Sequence, residues 1–187
     1  MTPKILAFAG SIRKESINRQ ALDHAVRGAR EAGAEVTLID LDDYSLPLYN
    51  GDLELSHDIP EAAVRLKSLF KSHQGLLLAC PEYNSSITPL LKNTLDWVSR
   101  PHGEESGLVP YRGKWVGLVA ASSGNLGGLR GLRHVREILT TLQALVIPQQ
   151  MALSQADKAL LDPASNGLKG LAAIGGALAE SIRRWEK

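Results

Sequence analysis

Apolar and polar positions follow two rhythms along this chain, and the rhythm switches repeatedly. Ile5-Leu6-Ala7-Phe8-Ala9 is an unbroken apolar run of strand length. Beyond it Leu22, Ala25, Val26 and Ala29 fall at i, i+3, i+4 and i+7, the stripe of a helix packed on one side. Gly33 stops that helix, and Glu35-Val36-Thr37-Leu38-Ile39 reads as a second strand. Asp40 to Pro60 is a polar connection, long for a compact domain, and Pro60 opens a helix with Ala62, Leu66, Leu69 and Phe70 on one side. Leu76-Leu77-Leu78-Ala79-Cys80 is apolar on both faces, as a central parallel strand is. Leu91, Leu95 and Val98 mark a helix ending near Pro101, and His102 to Gly113 reads as a loop. Trp115 to Ala121 is the fourth strand, and Leu132, Val135, Ile138, Leu139 and Leu142 stripe the next helix. Leu145-Val146-Ile147 is a short fifth strand closed by Pro148, Met151 to Asn166 is irregular, and Leu171, Ile174, Leu178 and Ile182 mark the last helix.

Strands alternating with helices predict a single α/β domain over residues 1–187, a doubly wound five-stranded parallel sheet with helices on both faces. In such a sheet ligands bind beyond the C-terminal strand ends, where strand order reverses. Three loops leave those ends with unusual chemistry: Gly10 to Asn18, Pro81 to Ser86, and Ser122 to Gly128. With the order 2-1-3-4-5, the first two flank the reversal and the third lies beside them. The first loop runs into a helix start, where unpaired backbone N–H groups and the helix dipole favour an anion. Ser11, Arg13, Ser16, Ile17 and Asn18 stand there, and a guanidinium fork fits phosphate oxygens. Ser16 or Asn18 alone would cap the helix. The whole set exceeds what capping requires, so a phosphate site is expected.

Charge and cysteine usage narrow the rest. The 187 residues hold 21 basic and 20 acidic side chains, a formal net charge of +1, which argues against nucleic acid held by a broad positive field. Cys80 is alone, so no intramolecular disulfide forms, and no apolar run reaches membrane-spanning length. A cytoplasmic protein with neither membrane nor nucleic-acid partner is the expectation. His24, His57, His73, His102 and His134 have no metal-ligand spacing and read as surface residues, so no metal is expected. Cys80 at a buried strand end reads as a small core residue, and Trp97 as packed, either in the core or against a partner chain. The glycines at 124, 127, 128 and 131 do not match G-x-G-x-x-G, and Gly113-Lys114-Trp115 is not a Walker loop.

Four motifs, in order, carry a resemblance. They are Gly10-Ser11-x-Arg13-x-x-Ser16-x-Asn18, Pro81-Glu82-Tyr83-Asn84-x-Ser86, Leu91-Lys92-Asn93-x-x-Asp96-Trp97-x-Ser99-Arg100 and Ser123-Gly124-x-x-Gly127-Gly128. Together they resemble the NADPH-dependent FMN reductase family, whose fold is flavodoxin-like and which includes quinone, chromate and azo-dye reductases. Leu46-Pro47-Leu48-Tyr49-Asn50 is similar to that family's loop after strand two. The resemblance implies that Ser11, Arg13, Ser16 and Asn18, with Ile17, hold the FMN phosphate. It implies that Pro81, Glu82, Tyr83, Asn84 and Ser85 border the ribityl chain and ring, and that Ser122, Ser123 and Gly124 contact the ring. Ser85 and Thr88-Pro89-Leu90 depart from the usual pattern, which bears on the acceptor pocket more than on FMN.

The implied function is an FMN-dependent oxidoreductase taking hydride from NADPH or NADH and reducing a small acceptor: a quinone, chromate, an azo compound or free flavin. Such chemistry belongs to the cofactor, so no protein catalytic acid, base or nucleophile is expected. The resemblance also implies a homodimer or homotetramer. Two alternatives stand beside it. One is a flavodoxin-like electron carrier without NAD(P)H oxidation of its own, against which the balanced charge speaks. The other is a phosphosugar or mononucleotide enzyme using the same phosphate loop.

Overall fold

A computed structural model describes residues 1–185. In chain order the elements are β1 (Lys4–Ala9), α1 (Ile17–Glu31), β2 (Glu35–Leu38), a 3-10 turn (Leu41–Tyr44), α2 (Gly51–His57), α3 (Glu61–Ser72), β3 (Gly75–Ala79), β4 (Glu82–Tyr83), β5 (Ser86–Ile87), α4 (Pro89–Val98), β6 (Trp115–Ala121), α5 (Leu129–Thr141), β7 (Leu145–Leu153), α6 (Ala156–Ala159) and α7 (Asn166–Trp185). The main sheet runs β2-β1-β3-β6-β7 with every neighbour parallel, which is the expected flavodoxin-like order. The short antiparallel pair β4–β5 stands apart from it, inside the connection read from sequence as a loop.

The strands read as continuous apolar runs because both faces of the sheet are covered. Alternate residues divide between the two sides. Ile5, Ala7, Leu77, Ala79 and Val119 face α1 and α7, while Leu6, Phe8, Leu76, Leu78, Cys80 and Leu118 face α3, α4 and α5. Helices α1 and α7 pack backbone to backbone. A methyl group on Gly28 would collide with the Ala172 carbonyl, and one on Gly175 with the Ala25 carbonyl, so neither position tolerates a side chain at this crossing.

Several expectations need correction. The polar connection from Asp40 to Pro60 contains the 3-10 turn and α2, started by side-chain caps: Asp40 accepts from the Asp42 N–H at 3.1 Å and Asn50 from the Asp52 N–H at 2.9 Å. Helix α2 has no buried residue, so it has no apolar stripe to read. Strand β7 does not close at Pro148 but continues to Leu153; the pairing jumps from Val116 opposite Val146 to Leu118 opposite Gln150. Proline cannot donate to a ladder, and the bulge carries the chain past it. Arg136 seals the bulge by donating to the Ile147 carbonyl at 3.0 Å and to Gln150 Oε1 at 2.9 Å. The stretch from Met151 to Asn166, read as irregular, contains the end of β7 and α6.

His73 is not a surface residue. It is buried at the end of α3, its Nδ1 2.6 Å from the Leu69 carbonyl and its Nε2 2.8 Å from Thr37 Oγ1. A carbonyl only accepts, so Nδ1 carries the proton and Nε2 takes the threonine hydroxyl. Trp97 is packed within this chain, fully buried, with its indole N–H donating to the Pro47 carbonyl at 2.7 Å and Tyr49 edge-on at 5.1 Å. Cys80 is a core residue whose thiol burial pushes far above its ordinary value. Among the described residues no helix is long and apolar enough to cross a membrane.

Candidate functional site

At the C-terminal edge of the sheet the three loops meet around a cleft of about 300 Å³, at the small end of the usual range for ligand sites. Its first wall is the turn from β1 into α1. Ser16 caps the helix, its Oγ accepting from the Arg19 N–H at 3.4 Å and its carbonyl from the Gln20 N–H at 3.2 Å. The N–H groups of Ile17 and Asn18 have no partner among the described residues. Ser11 is buried; its Oγ accepts from the Arg13 N–H at 3.4 Å, and its hydroxyl proton remains to be given. The Arg13 side chain borders the cleft without an ion pair or hydrogen bond among the described residues. Unpaired donors, a guanidinium and the positive end of α1 thus converge on one place, which is what an anion requires.

The Asn18 side chain ties two of the walls together. Its Nδ2 donates to the Ala121 carbonyl at 2.8 Å and its Oδ1 accepts from the Ala121 N–H at 2.9 Å, across 103 residues of chain. The side chain joins the start of α1 to the end of β6, bringing the first and third loops together. What it offers the cleft is its backbone N–H.

The second wall is the β4–β5 hairpin. Asn84 and Ser85 form its two-residue turn with φ of 48° and 69°, the positive values that a twisted hairpin demands. They lie at the tip, outside the cleft, whereas Pro81, Glu82 and Tyr83 line it. Tyr83 is about half exposed. The Glu82 carboxylate turns away toward α5, where it pairs with Arg130 and accepts from the Gly131 N–H at 2.9 Å. Burial pushes its carboxyl up, but the Gly131 and Arg130 donors outweigh that and leave it below its ordinary value.

The third wall is the turn after β6. Ser122 Oγ accepts from the Gly124 N–H at 3.0 Å, and the Ser122 N–H donates to the Leu153 carbonyl at 3.1 Å, so the end of β7 supports the turn. Ser122, Ser123 and Gly124 all line the cleft. Ala121 lines it too and was not foreseen. An alanine has no chemistry to announce itself, and only its place at a strand terminus marks it.

A second cavity of about 370 Å³ lies on the β2 side of Ser11. Its walls carry Asp23, Asp40 and Asp43 against Arg19, and Arg19 is already paired with Asp40. An anion there would meet uncompensated carboxylates, so charge assigns a phosphate to the first cleft although the second cavity is the larger.

The sheet order, the open helix start at its reversal point and the two further loops define a flavodoxin-like protein built to hold a phosphorylated ligand. The chain belongs to the NADPH-dependent FMN reductase family, whose sequence pattern matches residues 3–158. It is 32% identical over 166 residues to a 2-hydroxy-1,4-benzoquinone reductase of a Burkholderia species, covering 89% of this chain and 86% of that one. It is 36% identical over 139 residues to an NAD(P)H-dependent FMN reductase of Pseudomonas aeruginosa, covering 74% and 70%. Among solved structures, FerB, a flavoenzyme NAD(P)H:(acceptor) oxidoreductase from Paracoccus denitrificans, shares the fold with a TM-score of 0.79, 24% identity and 98% of each chain covered. The protein is therefore an oxidoreductase of the FMN-reductase family.

Proposed function

We propose that this protein is an FMN-dependent NAD(P)H oxidoreductase whose cleft seats FMN with the phosphate at the start of α1 and the ring between the second and third loops. The observation that carries this reading is the pair of unpartnered N–H groups at Ile17 and Asn18 beside the free guanidinium of Arg13. Ser11 and Ser16 complete the phosphate cage. Pro81, Tyr83 and the main chain of Glu82, whose carboxylate turns away to α5, border the ring on one side and Ser122, Ser123 and Gly124 on the other. Asn84 and Ser85 contribute through the hairpin turn.

When bound, FMN supplies the hydride chemistry at its N5. The chain's own residues bind and orient. Preorganised loop N–H groups cost little reorganisation and would stabilise negative charge developing on a ring held beside them. Because the hydride chemistry belongs to the cofactor, no side chain is proposed as an acid or base. Tyr83 lines the cleft about half exposed, among Ser11, Ser16, Ser122 and Ser123. An exposed aromatic beside hydrogen-bonding groups suits a flat, weakly polar acceptor, and a small quinone, the substrate of the quinone-reductase relatives, is the substrate class proposed. A homodimer or homotetramer in the cytoplasm completes the reading.

The test is a purified-protein titration with FMN followed by flavin fluorescence, then NADPH or NADH oxidation with benzoquinone. Tight FMN binding and acceptor-dependent oxidation are expected. Binding without nicotinamide oxidation would make the protein an electron carrier, and failure to bind FMN would remove the flavin altogether.

A further inference from the structure

The β4–β5 hairpin that walls the cleft is fastened to α5, the helix that follows the third loop, and Glu82 is the fastener. Successive side chains of a strand point to opposite faces. Glu82 accordingly turns to α5 while Tyr83 lines the cleft. The Glu82 carboxylate accepts from Arg130 Nε at 2.9 Å, from Arg130 Nη2 at 2.6 Å and from the Gly131 N–H at 2.9 Å. Gly131 belongs to the first turn of α5, and the cap of that helix, Gly128 at φ 91°, has no side chain to offer. The contact is close: a methyl on Gly131 would lie 3.4 Å from both Glu82 Cβ and the Ser86 carbonyl. Ser86 Oγ, 2.9 Å from His134 Nδ1, adds a second tie one turn along the helix. A hairpin with strands of two residues does not hold its shape alone. Its position over the cleft is set from α5.

We propose that Glu82 is a positioning residue for acceptor reduction: its carboxylate, shared between Arg130 and the Gly131 amide, fixes the gap between Tyr83 and the Ser122–Gly124 wall through which the acceptor reaches the ring. The inference rests on the flavin reading of the cleft. The third loop runs directly into α5, so a slip between hairpin and helix changes the width of the cleft without touching the phosphate cage. The Arg130 side chain is 52% exposed and that of Glu82 8%. Solvent therefore screens the ion pair more than the bond to the Gly131 amide, and the amide bond carries more of the clamp.

Wild type, Glu82→Ala, Glu82→Gln and Arg130→Ala are compared by FMN titration, by KM and kcat for benzoquinone, and by amide hydrogen exchange over residues 82–87 without cofactor. Glu82→Ala is expected to raise the quinone KM about tenfold with kcat nearly unchanged, and to speed exchange in the hairpin. Glu82→Gln, whose amide oxygen still accepts from Gly131, recovers most of the KM; Arg130→Ala falls between. Faster exchange with an unchanged KM would reduce Glu82 to a structural role and overturn the proposal. A wild type that binds no FMN overturns the flavin reading and this inference together, whereas normal FMN binding with an unaltered KM in all three variants overturns this inference alone. If Glu82→Ala fails to fold, the other two variants decide.

Discussion

Two helices begin at the same edge of the sheet, and their N-termini are treated in opposite ways. Helix α1 starts behind Ser16, which satisfies one amide of the first turn and leaves those of Ile17 and Asn18 open beside an unpaired Arg13. Helix α5 starts behind Gly128, which caps nothing, and is closed from outside by the Glu82 carboxylate. Both ends carry the same partial positive charge. One is kept for a ligand and the other is consumed by the protein's own anion. A helix start is thus an anion site only when the chain leaves its donors unpaid, and neighbouring loops decide that.

The comparison can be broken at four points. Asn18→Ala strikes the joint that holds the open end in place; it strands the buried Ala121 N–H and carbonyl, and a loss of about 2–4 kcal/mol is expected in urea unfolding. Arg13→Ala strips the open end of its unpaired guanidinium and is expected to weaken FMN binding by about 1.5–3 kcal/mol in a fluorescence titration, with stability unchanged. Unaltered affinity would remove Arg13 from the cage. At the closed end, Glu82 has a carboxyl held below its ordinary value. Its contribution is present above the unfolded glutamate range and is lost as pH falls through the lower folded value. The melting-temperature gap between wild type and Glu82→Gln is therefore constant from neutral pH to about 5 and closes only below about 4. A gap that closed near neutrality would contradict the clamp. Cys80 faces neither end, is fully buried and has its thiol held protonated by burial, so Cys80→Ser is expected to keep its reductase activity. Complete loss of turnover in a folded variant would assign the thiol a role.

Much of this was legible before any coordinates. The strands, the helices and the loops between them follow from apolar runs and stripes, because a strand covered on both faces and a helix covered on one must write their burial into the sequence, while the sheet order is what the flavodoxin-like resemblance implies. Ser11, Arg13, Ser16 and Ile17 reach the cleft as read, and so do Pro81, Tyr83 and Ser122 to Gly124. Helix α2 escaped because it buries nothing, and β7 because a bulge lets a strand outlive its proline. That Asn84 and Ser85 form the hairpin turn, at positive φ, is not legible in the motif.

Sequence alone determined where strands and helices alternate and which residue types stand in the loops that leave the strands, since hydrophobic periodicity and loop composition are local properties. Tertiary structure alone decided what each polar group does there. Asn18 finds its partner 103 residues away, and Glu82 finds its partners 48 and 49 residues away. Whether a helix end is open or closed depends on which chain segment folds against it, and that is a property of packing.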